Sequence, residues 1–239
     1  MRSVQFTEND KATMPTPNRT AKRLEVAIFL FLLVPSLALS LFVTPEGSGG
    51  FRLTAVMVIL RDLALVSLVL YFIWRNGEGL AQIGWCTDNI AREALLGVLL
   101  FIPMTYGVNV LEQFFTGLGL STAPASSSGL LHPTSGSGLA LAVVLVAVVA
   151  LAEETIFRGY LLLRFIGLGM GRTAAVLLSS VTFAMGHGYE GWSGIATVAV
   201  MGILFAAVYL WRRSLVAPIV MHFLQDFLAI IVLPLLAGH

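Results

Sequence analysis

Long apolar runs, rather than any single motif, set the narrowest limits on what this chain can fold into. They fall at 24–43, 51–74, 94–115, 139–163, 174–187, 195–211 and 215–236, and Leu, Ala and Val dominate them. Most reach the ~20 residues that cross ~30 Å of hydrocarbon as helix. Backbone groups in lipid must be paired internally, and the runs lack the two-residue alternation of barrel strands, so they are read as helices. Composition agrees: 57% of the residues are hydrophobic and 11% charged, where a soluble domain carries about 25% charged. The expected fold is all-α, a polytopic transmembrane helix bundle of about seven spans lying in a lipid bilayer.

The polar stretches divide the chain. Residues 1–23 are polar and basic (Arg2, Lys11, Arg19, Lys22, Arg23) and are read as a disordered cytoplasmic arm. Ala38-Leu39-Ser40 loosely resembles a cleavage site, but the long basic arm and the length of the first run favour an uncleaved span. Residues 24–120 hold the N-terminal transmembrane helices. Residues 121–137, rich in Ser, Gly and Pro, form a polar loop. Residues 138–239 gather the unusual side chains. Lys and Arg recur in alternate loops, at Arg75 and Arg92, Arg164 and Arg172, Arg212 and Arg213. This alternation predicts a multi-pass cell-membrane protein with its N-terminus cytoplasmic and its C-terminus outside. A re-entrant or amphipathic helix between Asn76 and Arg92 is a candidate eighth element. A net charge of +1 with no basic patch argues against a nucleic-acid partner. The single Cys86 excludes an internal disulfide and any CxxC site.

Ionisable side chains at bilayer depth cost about 2.5–3.5 kcal/mol each on insertion scales, so they face a protein interior or a water-filled cavity. The fourth run carries Glu153, Glu154 and Arg158. Glu154 and Arg158, four apart on a helix, can pair and lock the structure, while Glu153 points ~100° away and is free for chemistry. A desolvated carboxylate suits a general base or a metal ligand. The fifth run ends at His187, and the last places His222 and Asp226 one helical turn apart. From the assumed cytoplasmic ends, Glu153, His187 and His222 lie at about 16, 22 and 12 Å, so one cavity can take all three.

These residues resemble the motifs of the CPBP family, the CAAX prenyl protease and bacteriocin-processing (Abi, type II CAAX protease-like) membrane proteins. EExxxR is Glu153, Glu154 and Arg158, FxxxH is Phe183 and His187, and HxxxD is His222 and Asp226 within SLVAPIVMHFLQD. The likeness covers the chain from Leu139 onward. It implies an intramembrane endopeptidase acting on a peptide or membrane-protein substrate through a Glu-activated water. By that analogy Glu153 is the base and positions the water with His187, while His222 and Asp226 stabilise the oxyanion. The last position is commonly Asn in the prenyl-protein processing enzymes, and Asp donates a hydrogen bond only when protonated. The resemblance also leaves open a divalent metal such as zinc on Glu153, His187 and His222.

Two other readings stand beside it. Gly191-Trp192-Ser193-Gly194 fits GxSG, so Ser193 with His222 would make a rhomboid-like serine protease. A catalytically silent scaffold or bacteriocin-immunity protein would keep the same fold. Arg61 and Asp62 add charge to the second run, and as neighbours on a helix they point apart, which argues against a simple ion pair.

Overall fold

The computed structural model describes residues 19–41, 50–86, 88–122, 133 and 136–237, and every regular element among them is helical. In chain order these are α1 (Arg19–Ser40), α2 (Gly50–Arg75), α3 (Ile90–Gly117), α4 (Gly136–Glu154), α5 (Leu163–Gly167), α6 (Arg172–Ala184), α7 (Gly191–Arg212), α8 (Val216–Phe227) and α9 (Leu233–Ala237). A 3-10 turn, Leu80–Ile83, lies between α2 and α3, where the sequence allowed an eighth helix. π-helical segments join α4 to α5 (Thr155–Leu162) and α8 to α9 (Leu228–Val232). Residues 1–18 of the expected N-terminal arm and most of the polar loop 121–137 lie outside the described residues, among which α1 begins at Arg19.

Six helical runs among the described residues are long and apolar enough to cross a membrane, one fewer than the expected seven. The difference has a physical cause. The runs at 174–187 and 195–211 are joined without a helical break, because the 3-10 turn Met185–Glu190 links α6 directly to α7. The two helices pack on each other, so this turn reverses the chain. α6 has 13 residues, about 20 Å of helix, which is too short to span ~30 Å of hydrocarbon by itself.

Outward faces carry Phe31, Trp74, Ile102, Tyr106 and Leu236, as expected where lipid tails are the solvent. The interior is filled by Phe29, Val69, Tyr160, Leu161, Phe205 and Tyr209. Small residues set the closest approaches. A Cβ on Gly97 would lie 2.8 Å from the Ala217 carbonyl oxygen, bringing α3 onto α8, and one on Gly159 would lie 2.8 Å from the Ile83 carbonyl oxygen.

Ion pairs gather helix ends at one face of the bundle. Lys22 and Arg164 both bind Glu78, Arg75 and Asn76 bind Glu25, and Arg212 holds both oxygens of Glu93. The Leu215 N–H donates to the Gly84 carbonyl at 2.9 Å, tying the start of α8 to the same face. Burial acts to raise the Glu78 carboxyl, but hydrogen bonds and charge from Arg164 and Lys22 outweigh it and hold the group below its ordinary value of 4.5. The start of α1 therefore shares this face with the ends of α2, α5 and α7, while α8 runs away from it toward Leu236.

Candidate active site

Three helices bring charge to the middle of the bundle. α4 ends in Glu153 and Glu154, α8 carries His222 and Asp226, and α2 contributes Arg61 and Asp62. The π segment that follows Glu154 has local causes. The Thr155 hydroxyl donates back to the Leu151 carbonyl at 2.6 Å, and the Ser179 hydroxyl donates to the Phe157 carbonyl at 2.7 Å. Both satisfy acceptors that a widened helix leaves exposed, and such π-bulges occur often at functional sites.

Glu154 is the fully buried anchor. Its Oε1 accepts from Arg158 Nη1 at 2.8 Å and lies 3.0 Å from His222 Nδ1. The guanidinium of Arg158 lies 4.2 Å from the Phe183 ring centroid and also donates to the Gly202 carbonyl at 3.4 Å. The expected Glu154–Arg158 pair is present and does more than lock a helix. It fixes the His222 ring, which is further clasped edge-on by Phe183 and stacked on Phe205. A carboxylate on Nδ1 sets the tautomer and the orientation of an imidazole.

His222 Nε2 then faces the reactive side. It lies 3.9 Å from Glu153 Oε2 and 3.4 Å from Asp226 Oδ2. The other Glu153 oxygen, Oε1, lies 3.6 Å from Arg61 Nη2. Glu153 Oε2 is buried and takes part in no hydrogen bond. Arg61 also binds Asp62 through Nε and Nη2, each at 2.8 Å. This corrects the expectation that neighbours on a helix do not pair, since the long arginine chain wraps round to reach the short aspartate. Sequence reasoning noticed Arg61 and Asp62 as costly intramembrane charges but did not place them beside Glu153.

His187 comes from a different element. It sits in the Met185–Glu190 turn with non-helical backbone (φ −103°, ψ 27°), and its Nδ1 lies 3.4 Å from the Phe183 carbonyl oxygen. The turn is pinned by Ser40, whose hydroxyl donates to the Met185 carbonyl and accepts from the Gly188 N–H. The Phe183 ring lies 5.1 Å from His187 and 5.7 Å from His222, so it stands next to both. Among the described residues no three His, Cys, Asp or Glu side chains are grouped closely enough to hold a metal ion. The Glu153, His187 and His222 set does not fit a divalent ion as arranged, and the chemistry below uses none.

Ser193 lies in the first turn of α7, buried, with its Oγ making no hydrogen bond to His222 or to any other group. A nucleophilic serine needs its base within hydrogen-bond reach. The geometry does not supply that contact.

The part of the chain with a known likeness runs from α4 through α8. Residues 135–228 match the family described as type II CAAX prenyl endopeptidase Rce1-like. The match covers 94 of the 239 residues, and the likeness is confined to that segment. The Rce1-like segment holds Glu153, Glu154, Arg158, His187, His222 and Asp226, whereas Arg61 and Asp62 lie outside it. Comparison with curated proteins and with solved structures returns no match.

Proposed function

We propose that this protein is an intramembrane endopeptidase that hydrolyses a peptide bond of a membrane-borne substrate, with Glu153 as general base. The observation that carries this reading is the state of Glu153. Its Oε2 is buried in the bundle, has no hydrogen-bond partner, and faces His222 Nε2 across 3.9 Å. Glu154 and Asp62 also keep one unpaired oxygen, but each has its other oxygen in a hydrogen bond, whereas Arg61 and His222 approach Glu153 only at 3.6 and 3.9 Å.

In this reading a water gives its proton to Glu153 as its oxygen attacks the scissile carbonyl carbon. The tetrahedral intermediate carries its charge on the former carbonyl oxygen. Doubly protonated His222, oriented by Glu154, donates from Nε2 to that oxygen. Glu153 returns the proton to the leaving nitrogen as the C–N bond breaks, releasing a carboxylic acid and an amine, and the acid then gives its proton to the amine or to solvent. His187 keeps Nδ1 on the Phe183 carbonyl, leaving Nε2 as an acceptor for the attacking water. Asp226, 3.4 Å from His222 Nε2, orients the imidazole rather than donating to the oxyanion. The face that carries Lys22, Arg75, Arg164 and Arg212 is assigned to the cytoplasm, as the distribution of basic residues directs.

The test is cleavage by purified protein of a quenched farnesylated peptide ending in Cys-aliphatic-aliphatic-X and of a membrane-protein panel. The expected result is turnover by the wild type and by Ser193→Ala, and none by Glu153→Gln. Loss confined to Ser193→Ala would transfer the reaction to the serine. No turnover by the wild type would leave the scaffold reading standing.

A further inference from the structure

The family segment does not reach α2, yet α2 places a cation against the base. Arg61 lies near the middle of Gly50–Arg75, about 16 Å of helix from one end and about 21 Å from the other, too deep to snorkel to either membrane surface. Its neighbour Asp62 is buried and engages the Nε and Nη2 edge. That contact fixes the guanidinium plane. One third of the Arg61 side chain (33%) nonetheless stays exposed. A charged guanidinium at mid-bilayer depth is expensive unless it faces polar groups, and here Nη2 turns toward Glu153 Oε1 at 3.6 Å.

The two oxygens of Glu153 face different donors. Oε2 faces His222 Nε2 at 3.9 Å and Oε1 faces Arg61 Nη2 at 3.6 Å. We propose that Arg61 is a catalytic residue, a second donor to the oxyanion on the side of Glu153 opposite His222. The inference rests on the hydrolytic reading above. It explains how the site works with Asp226 on α8, because an ionised carboxylate cannot donate a hydrogen bond. A guanidinium keeps its protons, so it stabilises the developing charge without proton transfer, and no bond to Arg61 is made or broken. An alternative use, binding the substrate's terminal carboxylate, would call for a place at the far end of the leaving peptide. Arg61 stands beside the base instead.

The experiment measures kcat and KM on the quenched farnesylated peptide for the wild type, Arg61→Lys, Arg61→Met, Arg61→Met with Asp62→Leu, and Glu153→Gln. Arg61→Met is expected to lower kcat by roughly 10²–10³-fold with KM unchanged, the size seen when one oxyanion donor is removed. Millimolar methylguanidinium should restore part of that loss without affecting the wild type. If Arg61→Met does not fold, the double variant, which removes both charges together, is read the same way. If neither folds, Arg61→Lys decides, since it keeps the pair with Asp62: a lower kcat at constant KM supports the role and a wild-type kcat overturns it. A folded Arg61→Met or double variant with wild-type kcat, or a loss seen in KM alone, also overturns it. Glu153→Gln separates the two readings. If it cleaves normally the hydrolytic mechanism fails, whereas an inactive Glu153→Gln beside a fully active Arg61→Met removes only Arg61.

Discussion

The bundle uses the same side chains twice, at its charged face and at its centre, and completes them differently. At the face, Glu78 takes Lys22 and two nitrogens of Arg164, Glu93 takes two nitrogens of Arg212, and Glu25 takes Arg75 and Asn76. At the centre, Asp62, Glu153 and Glu154 each keep one buried oxygen without a hydrogen bond. A carboxylate left under-coordinated in a low-dielectric interior is costly. The face is built for cohesion, and the centre tolerates a deficit that a reaction can use.

The sharpest way to break this comparison is Glu153→Gln. Cleavage should fall by ~10³-fold or more while thermal unfolding in detergent stays near wild type. A variant that unfolds would place Glu153 with the cohesive pairs. Arg158→Met comes next, because it strands the fully buried Glu154 and should cost about 3–5 kcal/mol, read as a large drop in unfolding temperature. A loss no larger than that of a rim substitution would erase the distinction between the two regions. Gly159→Ala should cost about 1–3 kcal/mol by forcing a methyl against the Ile83 carbonyl, checked by the same melt.

At the face, Glu78→Gln should cost only about 1 kcal/mol, with a pH signature. The folded Glu78 carboxyl is held below its ordinary value of 4.5. Its contribution is therefore complete above that value and is lost as pH falls through the lower folded value. The variant should flatten this part of the acid-unfolding profile, and an unchanged profile would show that the Arg164 contact is idle. Lys22→Met, which removes a more exposed partner of the same carboxylate, should shift stability by less than ~0.5 kcal/mol.

Much of the centre was legible in the sequence because it lies within single helices. Glu154 and Arg158, and likewise His222 and Asp226, are four apart, and helical spacing alone brings each pair together. The cost of intramembrane charge pointed to Glu153 and to α2. Contacts between helices were not legible. Nothing local to Arg61 says that it meets Glu153, and nothing local to His222 says that Glu154 holds its Nδ1. Depth along a helix could not show that His187 and His222 flank the same Phe183 ring, because that neighbourhood joins two separate elements. The span count differed by one because hydropathy separates the runs at 174–187 and 195–211, whereas in the structure a 3-10 turn joins them and α6 is too short to cross by itself.

The π segment Thr155–Leu162 separates the central Glu154 from Arg164, the residue of the same run that grips Glu78 at the face. In an unbroken α-helix each residue adds about 100° of rotation, so the inward angle of Glu154 would dictate the angle at which Arg164 emerges. The wider coil relaxes that bond between reaction and anchorage. It works as a phase adjuster, through which one continuous helix serves two faces whose bearings were never required to match.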